Sequence, residues 1–186
     1  MTDGSWLYGE SAIDIPRGDQ REKIRRTFLV PHHNDSINAY PPVIKVIKEA
    51  DYVITGPGDL YTSIIPNFLV SGVKKAVSET GAKLFYLVNI MTKFGETDNF
   101  TGEDFILELE KSIGRKIDIA ILNSTKPNKK IIGKYRKQKA ALVEISKHNL
   151  WDGRKIIKED LLSISGGIIR HDATKLASLI QKLIGL

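Results

Sequence analysis

Short runs of β-branched and aromatic residues alternate along the chain with segments whose apolar positions recur at helical spacing, a pattern that predicts a partly parallel sheet covered by helices. Residues 51–54 run into a Gly/Pro turn, 83–88 into a polar loop, and 117–122 into Asn123-Ser124, so each reads as a strand feeding a loop. Helices are expected at 42–50, where the prolines suit a first turn, and at 71–80, with Gly81 in the left-handed cap position. A third is expected over 103–112: Thr101 can cap its orphan amides, Glu103 and Asp104 suit its positive end, and Gly114 stops it. A further helix is read at 126–139, a strand at 140–145, and a last amphipathic helix at 174–184 with Leu176, Leu179, Ile180 and Leu183 on one face. Residues 6–15 and 23–30 read as extended segments around the turn-rich Pro16-Arg17-Gly18-Asp19. The reading is one α/β domain over 1–186, with residues 1–40 as a small β excursion within it.

Composition narrows the class. An apolar fraction of 41% and a charged fraction of 27% are ordinary for a globular chain of 186 residues. The absence of cysteine removes disulfides, cysteine-based zinc sites and thiol catalysis, and fits a cytoplasmic setting. No apolar run approaches the roughly 20 residues that span a bilayer, and the first residues lack a signal-peptide pattern, so no membrane partner is expected. The net charge of +6 favours anionic ligands. Its densest part, Lys126, Lys129, Lys130, Lys134, Arg136, Lys137 and Lys139, is read as a solvated face in preference to a nucleic-acid patch.

Candidate chemistry sits at two strand ends. After the first strand comes Thr55-Gly56-Pro57-Gly58-Asp59-Leu60-Tyr61-Thr62-Ser63-Ile64-Ile65-Pro66-Asn67, where glycine amides can approach an anion closely. Pro57 stiffens the turn, and Thr62 and Ser63 add hydroxyls. Two readings stay open here, a phosphate cradle and a plain strand-to-helix turn. After the second strand, Asn89 and Thr92 can hydrogen-bond a sugar, base or phosphate. Glu96 and Asp98 are read as solvated or capping carboxylates in preference to metal ligands. His32 and His33 point to opposite faces of an extended run and are read as loop polarity, and Glu10-Ser11 is a weaker pocket candidate. No Walker loop is present, and a dinucleotide fingerprint would need glycine where Tyr61 stands. Serine-hydrolase and zinc-protease motifs are also missing, so no catalytic residue is assigned.

These two stretches carry a resemblance. Gly56-Pro57-Gly58-Asp59-Leu60-Tyr61-Thr62-Ser63-Ile64-Ile65-Pro66-Asn67 and Asn89-Ile90-Met91-Thr92 with Gly95-Glu96-Thr97-Asp98 look like the two signature segments of the gluconeogenesis-factor (YvcK) branch of the CofD-like family. Gly9-Glu10-Ser11, Ile24-Arg25-Arg26 and Phe28-Leu29 resemble its preceding segment. The resemblance implies a Rossmann-like three-layer domain, truncated relative to the family. The chain has no Gly-Gly-Gly-Thr-Gly turn and looks like the family's later portion. It implies a regulatory protein of cell shape or carbon metabolism that binds a phosphate-bearing small molecule such as a UDP-sugar. Gly56, Pro57, Gly58, Asp59, Thr62, Ser63 and Asn67 would then line the phosphate side, and Asn89 and Thr92 the neighbouring wall.

Two alternatives follow. One is a metal-dependent transferase like the 2-phospho-L-lactate transferases, with Mg2+ as its cofactor; the other is a basic nucleic-acid or protein-binding module. A homo-oligomer, or a partner chain supplying the segment that resembles the family's opening, is the expected assembly. Asp59 stands where the resemblance leads one to expect serine, and its carboxylate repels an anion unless a metal or basic group intervenes.

Overall fold

The computed structural model describes residues 1–15, 18, 21–32, 36–145 and 153–185. Its sheet is built where the β-branched and aromatic runs lie. The strands β1 (Tyr52–Thr55), β2 (Lys83–Leu87), β3 (Ile119–Asn123) and β4 (Lys155–Glu159) pair in that order, every neighbour parallel. Side chains alternate across the sheet with the period of two that a pleated strand imposes. Leu84, Tyr86, Val88, Ala120 and Leu122 therefore enter one core, and Phe85, Leu87, Ile119 and Ile121 the other.

The helices run from α1 (Glu10–Asp14) and α2 (Pro41–Glu49) through α3 (Ile65–Leu69), α4 (Val73–Glu79) and α5 (Gly102–Ile113) to α6 (Lys129–Lys137) and α7 (Ala173–Ile184). A π-helical turn, Leu60–Ile64, leads into α3. The first core is closed by Phe68, Val73 and Val77 with Phe105, Ile106, Leu109 and Ile113, all from α3 to α5. The second is closed by α7, whose Leu176, Leu179, Ile180, Leu183 and Ile184 pack against it. Helices on both faces of a parallel sheet make the three layers expected of an α/β domain.

Local chemistry explains the ends of α5. Thr101 accepts from the Asp104 amide and Asp104 accepts from the Thr101 amide, a reciprocal capping box, while Gly114 closes the helix in the left-handed conformation at φ 81°. A hairpin of β5 (Leu162–Ser165) and β6 (Ile168–His171) follows the sheet. Its turn residues Gly166 and Gly167 have φ 59° and 78°, the positive values a two-residue hairpin loop requires.

Three expectations need correction. The β excursion expected in residues 1–40 forms no strand among the described residues. Glu10–Asp14 is helical, and the two segments meet through Trp6 stacked 5.5 Å from Phe28 and the Thr2 amide bonded to the Lys23 carbonyl. Pro16, Arg17, Asp19 and His33 lie outside the described residues. Residues 140–145 form no strand: Leu142 makes an isolated bridge to Met91, with backbone bonds from Thr92 to Ala141 and from Val143 to Ile90, while β4 takes the place beside β3. Gly81 is not left-handed; α4 ends in extended Thr80, whose hydroxyl accepts from the Ala82 amide.

Candidate functional site

The site is assembled where the strands end. In parallel α/β sheets the carboxyl ends of the strands feed loops whose amides and side chains face a common crevice. The loop after β1 turns through Gly56, at φ 81°, and a cis Gly56-Pro57 bond. A Cβ at Gly56 would stand 2.8 Å from the Leu87 carbonyl oxygen, so this loop lies directly against the end of β2. The loop after β2 is pinned from the other side: the Thr92 amide donates to the Ala141 carbonyl at 2.7 Å, and the Ala141 amide donates to the Thr92 hydroxyl at 2.9 Å.

Between these loops lies a cleft of about 710 Å³. Its polar lining includes Asp59, Asn89, Lys93, Gln138, Arg170 and His171. Tyr135 of α6 closes it, its hydroxyl accepting from the Ile169 amide at 2.8 Å and so holding the β5–β6 hairpin over the strand tips. The Asn89 side-chain oxygen is buried with no hydrogen-bond partner and belongs to the cleft wall. A second groove of about 580 Å³ runs along the free side of β1.

The structure divides the expected phosphate side between these two spaces. Pro57 and Gly58 border both; Asp59, Asn89 and Thr92 face the cleft; Gly56, Ser63 and Asn67 face the groove. The Thr62 hydroxyl is buried without a partner and lines neither. Asn67 uses its amide to donate to the Ser63 and Ile64 carbonyls, and Thr92 is buried in its exchange with Ala141. Ser63 and Ile64 amides both donate to the Asp59 carbonyl, which closes the π-helical turn.

Lys93, to which the sequence reading gave no role, stands at the centre. Its ammonium donates to Asp59 at 2.7 Å, lies 3.3 Å from Glu96, and contacts Asp14 of α1. Burial works against this charge, but the hydrogen bonds to Asp14 and Asp59 and the Glu96 charge outweigh it and hold the lysine pKa above its usual value. Glu96, expected on the surface, has a fully buried side chain. Burial pushes its carboxyl up, Lys93 pulls it down and Asp59 adds to the rise; the net direction is up. The Asp98 carboxylate accepts from the Gly95 amide at 2.7 Å and closes a turn within the loop, while α5 is capped by Thr101 and not by Asp98.

Asp14, Arg170 and His171 were also missed. Asp14 reaches Lys93 across 79 positions of sequence, a proximity no local pattern encodes. The hairpin that carries Arg170 and His171 had a signal, the Gly166-Gly167 pair between apolar alternations. His32 is exposed, and Glu10 and Ser11 are exposed on α1, whose Asp14 is the residue that reaches the site.

Fold and cleft together define a class: parallel α/β proteins that present a polar crevice at their strand tips. Within it, the chain belongs to the CofD family, whose model, described as 2-phospho-L-lactate transferase CofD, matches residues 1–162. It is 38% identical over 186 residues to the gluconeogenesis factor of Bacillus subtilis, covering 99% of this chain and 56% of that protein. Identity to the gluconeogenesis factor of Listeria innocua is 34% over 189 residues, covering 99% of this chain and 55% of the relative. A crystal structure of a UPF0052 family member from Bacillus halodurans superposes with a TM-score of 0.86 at 31% identity, covering 97% of this chain and 57% of that one. The chain thus spans a little over half the length of the curated relatives it matches.

Proposed function

We propose that this protein binds a phosphate-bearing small molecule, a nucleotide-sugar of the UDP-N-acetylglucosamine type, in the cleft at the tips of β1 and β2, and that the bound state serves regulation of carbon metabolism or cell shape. The observation that carries this reading is the convergence of Gly58, Asn89, Lys93, Arg170 and His171 on one space of about 710 Å³. That volume is within the roughly 300–1,000 Å³ typical of small-molecule sites. Arg170 supplies a cationic group that favours an anion, Lys93 offsets part of the charge of Asp14 and Asp59, and the unpartnered Asn89 oxygen offers an acceptor to a ligand hydroxyl or N–H. The gluconeogenesis-factor names of the relatives support the metabolic assignment.

Thermal shift tests the reading. UDP-N-acetylglucosamine should raise Tm in a concentration-dependent way, more than uridine or inorganic phosphate at the same concentration. Stabilisation by none of the three defeats it, and equal stabilisation by all three leaves no role for the sugar or base.

The second reading, Mg2+-assisted group transfer, draws on the family description and on the Asp14, Asp59 and Glu96 carboxylates, one oxygen of each lying within 4.8 Å of the others. An ion there would need those oxygens free. Lys93 already engages all three, so these residues do not fit a divalent metal and binding without transfer is the preferred reading. The basic run of α6 is exposed, consistent with a solvated face.

A further inference from the structure

We infer that Lys93 is a built-in cation that takes the place of a divalent ion among Asp14, Asp59 and Glu96, so that this chain organises the tip of its sheet without a metal. The carboxylates come from three separate parts of the chain: α1, the loop after β1, and the loop after β2. Their oxygens gather within 4.8 Å of one another, the spacing of ligands around a common ion. Three carboxylates this close repel one another unless one is protonated or a positive charge lies between them. The group found there is the Lys93 ammonium, 2.7 Å from Asp59 and 3.3 Å from Glu96 and in contact with Asp14.

Glu96 supplies the second, independent observation. Its side chain is fully buried, and neither carboxylate oxygen has a well-formed hydrogen bond; Lys93 and the Tyr61 backbone are the groups that favour its charged form. A buried carboxylate with open lone pairs is costly unless a cation faces it. Arg21, whose Nη1 donates to the Ile13 carbonyl next to Asp14, is partly desolvated by burial and also feels the Glu96 and Asp98 charges. An ammonium has three donors to share among three acceptors, which matches the three carboxylates without the six or more oxygens a Ca2+ ion demands. The same residue therefore joins the N-terminal helix to both signature loops. Asp14, Asp59 and Lys93 also line the cleft, so the cluster forms one of its walls.

The experiment uses the full chain and Mn2+ as the probe, followed by water-proton relaxation and by thermal shift. Wild-type protein is expected to show no Mn2+ site at this cluster; a relaxation signal abolished by Glu96→Gln would overturn the inference. In Lys93→Gln, an Mn2+ site should appear, with a relaxation enhancement at least roughly tenfold above the wild-type background, and Mn2+ should raise Tm. That gain should disappear in the Lys93→Gln/Glu96→Gln double variant. A folded Lys93→Gln protein that gains no Mn2+ affinity overturns the proposal, because the lysine would then not be what occupies an ion's place. Should Lys93→Gln fail to fold, Lys93→Met serves the same comparison, and the wild-type arm alone retains the power to refute.

Discussion

Gly56 is the position where backbone geometry matters most to the site. Its φ of 81° and the 2.8 Å that would separate a Cβ from the Leu87 carbonyl leave no room for a side chain. Gly56→Ala should destabilise the protein by about 1–3 kcal/mol, read as a lower urea midpoint, and weaken any ligand stabilisation in the cleft. A midpoint unchanged from wild type would show that the turn relaxes. Tyr86 gives the opposite expectation. Its hydroxyl is fully buried beneath the same loop without a partner, so Tyr86→Phe should be neutral or stabilising by about 1 kcal/mol in the same assay.

His171 lines the cleft, and burial depresses its pKa below the usual 6.5, partly countered by its hydrogen bond to the Val88 backbone. A histidine with a lowered folded-state pKa lets the unfolded chain take up the proton first. Stability should therefore be full above pH 6.5 and fall as pH drops below it. Urea midpoints taken between neutral pH and about pH 5 should flatten in His171→Gln. Identical slopes in the two proteins would remove His171 from the account.

At the scale of elements, the most informative contact ties α5 to the start of β4. Arg154 donates from its Nε and one Nη to the two Glu110 oxygens at 2.6 and 2.5 Å, and Glu110 also accepts from the Ile117 amide. Both side chains are nearly buried, 7% and 10% exposed, so the pair cannot be exchanged for water. Glu110→Ala should cost about 3 kcal/mol or more, measured by chemical denaturation, because a buried guanidinium loses its carboxylate. A loss below about 1 kcal/mol would place this pair with weak surface bridges. The central strands and α5 could be read in advance because their signals are local: β-branched runs, Thr101 before acidic residues, and Gly114 after the last apolar position. β4 was not read, since Lys155-Ile156-Ile157-Lys158-Glu159 is short and mixed, and becomes a strand by pairing with β3. Residues 6–15 and 23–30, read as extended, form no paired strand for the complementary reason, that a strand needs a partner and these residues find stacking and isolated bonds, with Glu10–Asp14 turning helical.

For the whole molecule, two cores share one sheet, and among the helices of the described residues α7 alone covers the second, with Leu176, Leu179, Ile180 and Leu183. A chain ending at residue 172 would leave Phe85, Leu87, Ile119 and Ile121 open on that face. It should lose its cooperative thermal transition in far-UV circular dichroism or aggregate; a transition kept within a few degrees would mean the first core suffices. Sequence by itself determined the α/β class, the two strand-end loops, and the family, because hydrophobic period and glycine-proline turns act over a few neighbouring residues. Tertiary structure decided which of those residues share a space: it separated Ser63 and Asn67 from Asn89, buried Glu96, and brought Asp14 to Lys93. Charges separated by many positions along the chain interact only once packing has fixed the distance between them and removed the water, and neither quantity is written in any local pattern.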